Sequence, residues 1–333
     1  MIKSILKKML TTVLLVTSVY AFADDNKITI MVSSIEKQIY LPAKLAEQLG
    51  YLKETGLEIE LLSTATGSSA EKEMLSGVAQ GVIGFYDHAI HLQARGKLVQ
   101  SVVQFSQAPG EVLLVSKAAG KNIKSPADLK NKTVGVTGLG SSTHLLTQYL
   151  LTKSGLKNSD YFVLPVGAGS RFIAAINQGK IDAGMTTEPT ISRLLSSGEA
   201  SILIDLRTVS STEAVLGGAY PGACLYMPTA WVSKNKETVQ KIVNAFVKTL
   251  SYIQTHSAAE IAEMMPAEYY GSDKKSYIEA LEISKRMFTP DGVMPKNGPP
   301  TVLRALKDFD KAVQGKPINL GNTFTNEFVN AAR

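Results

Sequence analysis

Gly138 and Gly140 interrupt a short β-branched run, Thr133, Val134 and Val136, and pass the chain to Ser141, Ser142 and Thr143 before Leu145, Leu146, Tyr149 and Leu150 recur at helical spacing. The pattern predicts a strand, a tight turn and a helix. Ser141 is a natural N-cap, and the first-turn N–H groups of such a helix have no intrahelical partner and lie at the positive end of its dipole. Three hydroxyls add donors and the glycines allow close approach, so the turn is suited to an anion. The same residues also fit an ordinary capped βα turn, since the stretch is neither a Walker A loop nor a full G-x-G-x-x-G.

Other residues with chemistry lie at comparable places. Asp87 follows the strand-like Gly81–Tyr86, where it can cap the next helix, bind a ligand amine or hydroxyl, or do both. His88 and His91 share a helix face, but the four histidines (88, 91, 144 and 256) have no spacing that completes a metal site. Arg171, just inside a helix after Gly167–Ser170, suits a carboxylate or sulfonate fork and equally a solvated surface. Tyr220 can stack on a ligand or pack a hinge, and Trp231 reads as core. Ser142 lacks a G-x-S-x-G elbow, and no Ser-His-Asp set assembles. Asp182, Glu188 and Asp205 are the acids a secreted hydrolase would draw on, yet nothing in their spacing favours that use.

The N-terminus sets the expected compartment. Lys3, Lys7 and Lys8 precede an apolar stretch, Met9–Val19, too short to span a bilayer, and Ala21-Phe22-Ala23 is a small-x-small cleavage pattern. Residues 1–23 therefore read as a secretory signal peptide. Cleavage takes three lysines out of a formal charge of +6, leaving a nearly balanced chain with no clustered basic patch for nucleic acid. Cys224 is the single cysteine, which excludes an intramolecular disulfide and a cysteine metal cluster. With no cysteine at the cleavage site, the chain is expected to be free of a lipid anchor, periplasmic and soluble.

Strand and helix patterns alternate along the remainder. Lys27–Ser33, Leu57–Leu62 and Gly81–Tyr86 read as strands, with helices over Gln38–Leu52, Ala70–Ser76 and Asp87–Arg95. After two strand-like runs, Gln100–Phe105 and Glu111–Ser116, a second α/β series extends to Leu206, and a helical tail starts at Glu237. Each series predicts a parallel, doubly wound sheet. The chain thus crosses twice, giving a first lobe from 24–112, a second from 113–222 and a return to the first over 223–333. Ligands of such folds bind in the cleft where strand ends face each other across the hinge.

The signal peptide, Ile28–Ser33, the turn before Ala70, Gly135-Val-x-x-Gly-x-Gly-Ser-Ser-Thr143, Ala174-Ala-Ile-x-x-Gly-Lys-Ile-Asp-Ala183 with Glu188-Pro189, and the long helix from Glu237 fall in a recognisable order. Together they resemble the periplasmic substrate-binding proteins of nitrate/sulfonate/taurine-type ABC importers, which share a fold with the thiamine pyrimidine-precursor proteins. The resemblance implies a type II periplasmic binding protein, two α/β lobes hinged by two crossing strands, acting as a monomer with an inner-membrane ABC permease as partner and without enzymatic activity, cofactor or metal. It places the ligand against Ser33 and Ser34, Thr66 to Ser69 (Thr66, Ser68 and Ser69 carrying the hydroxyls), Tyr86, Asp87 and His88, and Gly140, Ser141, Ser142 and Thr143, with Glu188 also facing the cleft. Arg171 and Tyr220 complete the set. The many neutral donors lead to a small organic anion as the expected ligand, a carboxylate or sulfonate with room for an aromatic body, its head group on Ser141–Thr143. A neutral thiamine-precursor-like pyrimidine held by Asp87 and Glu188 is the alternative.

Overall fold

The computed structural model describes residues 27–271 and 273–332, so the expected signal peptide lies outside the described residues. Two five-stranded sheets organise the chain. The first contains β1 (Lys27–Ser33), β2 (Glu58–Thr64), β3 (Gly81–Phe85), β4 (Val99–Gln104) and β10 (Ala223–Pro228), in the order β2-β1-β3-β10-β4. The second contains β5 (Glu111–Ser116), β6 (Thr133–Val136), β7 (Phe162–Pro165), β8 (Ala183–Thr187) and β9 (Ala200–Leu206), in the order β7-β6-β8-β5-β9.

The sheets are mixed, which corrects the expectation of purely parallel ones. β1 pairs in parallel with β2 and β3, and β6 with β7 and β8. β10, however, runs antiparallel between β3 and β4, and β5 antiparallel between β8 and β9. Both are strands on which the chain arrives from the other sheet, so each enters at the edge where the parallel strands end. Thr187 and Glu111 are register partners, as are Phe85 and Ala223. Each sheet therefore presents to the cleft the carboxyl ends of its parallel strands and the amino end of one antiparallel strand.

The two crossings run side by side. Gly222 donates its N–H to the Ser106 carbonyl at 3.2 Å, and Ala223 donates to Ser106 Oγ at 2.8 Å. A Cβ on Gly222 would stand 2.7 Å from the Ala108 carbonyl, so only glycine fits between the crossing segments.

Helix Lys236–Thr255 buries Val239, Ile242, Val243, Phe246, Leu250 and Ile253, a stripe at helical spacing, in the core of the first sheet. Helix Gly298–Phe309 packs against helix Ser142–Lys153 beside the second sheet and against helix Asp87–Ala94 beside the first. Its Val302, Ala305 and Leu306 share one apolar cluster with Leu145, Leu146 and Leu150. The tail thus spans both halves of the molecule. Among the described residues no helix is long and apolar enough to cross a membrane.

Candidate functional site

The facing strand ends are in contact. Gln38 N donates to the Glu188 carbonyl at 3.1 Å, and Ser68 Oγ to the Leu139 carbonyl at 3.2 Å. Thr66 caps helix Gly67–Leu75, accepting from Ser69 N at 3.1 Å, and its methyl lies 2.5 Å from where a Cβ on Gly138 would stand. Gly138 thus lets the two lobes meet.

Beneath this contact lies a cluster of ionisable groups, all buried except the partly exposed Glu71. From the first sheet come Asp87 and His88, opening the helix after β3, with Glu71 from helix Gly67–Leu75 and Lys37 from the turn after β1. From the second comes Glu111, the first residue of β5, with 0% exposure, as has Asp87. His88 Nδ1 lies 2.8 Å from Glu71 Oε1, and His88 Nε2 lies 3.7 Å from Asp87 Oδ1. Tyr220 donates to Asp87 Oδ2 at 3.4 Å, while Ser142 donates to Glu111 Oε1 at 2.6 Å. Asp87 Oδ1, His88 Nε2 and Glu111 Oε2 are buried without a hydrogen-bond partner. Such atoms carry the full cost of desolvation unless something fills their valence.

Electrostatics point the same way. Burial pushes the Glu111 carboxyl up to about 8, beyond what its bond from Ser142 offsets, with the Asp87 charge adding to the rise. Burial also raises Asp87, more than the neighbouring His88 lowers it. For His88 burial works downward, but the carboxylates of Glu71 and Asp87 outweigh it and lift the imidazole to about 9. Burial lowers Lys37 despite Glu36 and Glu111 nearby. Three acids, Glu71, Asp87 and Glu111, thus share the cleft with two bases. A ligand presenting N–H groups or a positive charge would favour the ionised form of both raised carboxyls, whereas an anion would push them further up.

The hydroxyl turn proves largely occupied by itself. Ser141 is the N-cap residue, as expected, but its Oγ donates to the Gly138 carbonyl at 2.7 Å, and no side chain caps the helix. Thr137, Ser141 and Thr143 bond one another, and Ser142 bonds Glu111. Gly140, in the left-handed region at φ 79°, donates its N–H to His144 Nδ1. A carboxyl group thus stands beside the helix end where an anionic head group was expected.

The remaining expected residues separate into groups. Ser33 and Ser34 are buried at the end of β1, Ser34 donating to the Ala65 carbonyl at 3.0 Å, and Ser69 bonds Thr66. Tyr86 turns away from the cleft, with its hydroxyl on Thr323 Oγ1 and its ring edge on Phe324. Asp87 is the first residue of its helix and not its cap, so its carboxylate is left facing the cluster. Glu188 binds Arg207 at 3.0 Å and both the N–H and the hydroxyl of Ser192, a structural engagement. Arg171 lines a cavity of about 490 Å³ at the cleft mouth, opposite Ser34, Glu36 and Ser63. Trp231 is half-buried against the first core.

Lys37, Glu71, Glu111 and Arg207 escaped the sequence reading. Glu111 left one trace, an acid heading an otherwise apolar strand, Glu111-Val-Leu-Leu-Val-Ser116. Lys37 left none, because a charged residue in a polar turn reads as solvated. Among the described residues no group of three or more His, Cys, Asp or Glu side chains could hold a metal.

The family described as NMT1/THI5 like matches over residues 40–259. A solved protein of Bordetella bronchiseptica RB50 is 36% identical, superposes with a TM-score of 0.88, and is covered over 96% of its length by 92% of this chain. The alkanesulfonate-binding protein of Xanthomonas axonopodis pv. citri, solved with MOPS, is 19% identical with a TM-score of 0.70 over 91% of this chain and 99% of its own, a likeness of fold. A 4-amino-5-hydroxymethyl-2-methylpyrimidine phosphate synthase of Saccharomyces cerevisiae is 27% identical over 68% of this chain and 67% of its own. The fold is that of the type II periplasmic binding proteins.

Proposed function

The chain belongs to the NMT1/THI5-like family, and from that premise we propose that it is an exported solute-binding component of an ABC importer, which closes its lobes on a small molecule and hands it to a permease. The ligand is a compound bearing hydrogen-bond donors or a positive charge on nitrogen, such as an amine, an amidine or an amino-substituted heterocycle. One observation carries this reading: Asp87 and Glu111 approach from opposite lobes, both fully buried, each with one oxygen that accepts no hydrogen bond. Of the two ligand classes drawn from the sequence, the geometry favours the nitrogenous one, with Glu111 in the place assigned to Glu188.

Binding needs no covalent chemistry. Closure removes water from the cleft, which strengthens polar contacts there and gives the permease a shape distinct from the open one. Gly138 provides the test. Gly138→Ala places a methyl against Thr66 in the closed form while leaving the separate lobes unstrained. Overpacking of this kind costs about 1–3 kcal/mol, a loss of roughly fivefold to a hundredfold in affinity. Small-angle scattering at a fixed, sub-saturating concentration of the aminopyrimidine or amidine that binds the wild type should show contraction in the wild type and little in the variant. Equal contraction in both would contradict closure about this contact.

A further inference from the structure

The cavity at the cleft mouth is bounded by both lobes. Ser34, Glu36 and Ser63 come from the first, Gly167 and Arg171 from the second, and Arg193 reaches it from the helix after Glu188. Its volume of about 490 Å³ exceeds what a buried amine or amidine alone needs. The turn after β1 joins it to the deep cluster: Ser34 and Glu36 face the cavity, and Lys37, whose N–H donates to the Ser34 carbonyl at 3.1 Å, lies beside Glu111.

Its balance of side chains is the reverse of that in the deep site, where three acids share the cleft with Lys37 and His88. Two guanidinium groups face one carboxylate, Glu36. Arg171 folds back over the loop, its Cδ 3.2 Å from where a Cβ on Gly167 would stand, and among the described residues it forms no ion pair. Arg193 feels Asp273, an exposed acid that caps the helix starting at Lys274. Guanidinium forks match paired oxygens of carboxylate, sulfonate and phosphate, which lysines do not match as well.

We infer that the mouth cavity is an anion subsite and that the ligand is bipolar, with its nitrogen end held by Asp87 and Glu111 and an anionic group, carboxylate or phosphate, held by Arg171 and Arg193. This rests on the nitrogenous reading of the deep site. It also accounts for a cleft that has acids at its floor and cations at its rim: a bipolar molecule can enter in one orientation only.

Calorimetric titration with matched pairs of probes tests it, using amidines and aminopyrimidines each with and without a carboxylate or phosphate substituent. In the wild type the anion-bearing member of a pair should bind roughly tenfold to a hundredfold more tightly, the worth of a charge-assisted hydrogen bond. Arg171→Gln should cut that advantage at least severalfold and Arg171→Gln with Arg193→Gln should abolish it, the two members then binding alike, whereas Asp87→Asn should weaken both members. Tight, Asp87-dependent binding that shows no preference for the anion, or that ignores Arg171→Gln, overturns the subsite and leaves the deep site standing. Failure of every pair to bind, or binding indifferent to Asp87→Asn, overturns the deep site and the bipolar ligand together.

Discussion

Asp87→Asn lowers affinity for a nitrogen-bearing ligand by roughly a hundredfold while leaving the ligand-free protein at least as stable as the wild type. The carboxylate is fully buried, one oxygen meeting Tyr220 and the other accepting no hydrogen bond, with His88 Nε2 3.7 Å away. Replacing it with a carboxamide keeps the volume, removes the charge and can turn an N–H toward the ligand's own N–H. Removing one member of a buried charged pair costs about 3 kcal/mol, which is the hundredfold. The stability half follows from sign. Burial raises the Asp87 carboxyl above its ordinary value, so the ligand-free fold gains nothing from its ionisation and loses nothing when it is neutral. Calorimetry gives the affinity and a thermal melt the stability. An affinity change within twofold would remove Asp87 from the binding site.

Arg207→Ala gives the largest expected loss of stability. Arg207 is 7% exposed and joins two acids, Asp205 at 2.6 Å and Glu188 at 3.0 Å, the latter 2% exposed. Without it Glu188 is a buried carboxyl with only the Ser192 bonds for compensation, and its raised proton affinity already reflects burial outweighing those bonds and Arg207. Uncompensated burial of this sort costs about 3 to 5 kcal/mol. Adding Glu188→Gln to the same variant should restore part of the loss, because it removes the stranded charge. Chemical denaturation of the wild type, both single variants and the double variant measures the coupling. Additive losses would show that the pair does not act as a unit. The same pair explains why Glu188, which from the sequence looks ready for a ligand, has a structural role.

The parts of the site that could be read from the sequence are those with local signals. The strand ends at Ser33 and Phe85, the strand-turn-helix at Ser141 and the crossings near residues 107 and 217 follow from periodicity, glycine and hydroxyl placement. What escaped depends on topology. Glu111 reaches the cleft because β5 runs antiparallel and presents its amino end, and strand direction within a mixed sheet is a non-local outcome of which strands pair. Lys37 is an ordinary charged residue in a turn until Glu111 of the second lobe stands beside it, and Glu71 one on a helix until His88 from the next helix meets it. The hydroxyls of Thr137, Ser141 and Thr143 were legible as donors, but that they satisfy one another depends on side-chain orientation, which spacing does not encode. Tyr86 likewise follows its strand into the cleft region by sequence, yet its ring is claimed by Thr323 and Phe324 from the far end of the chain.

The central claim is that acids brought from both lobes select a ligand by its nitrogen. Mass spectrometry of the small molecule released by denaturing protein purified gently from its native cells tests this most directly. The account predicts a compound with an amine, amidine or amino-heterocyclic nitrogen that carries an anionic group as well. A nitrogen-free sulfonate or carboxylate, or nitrate itself, recovered in stoichiometric amount would contradict it.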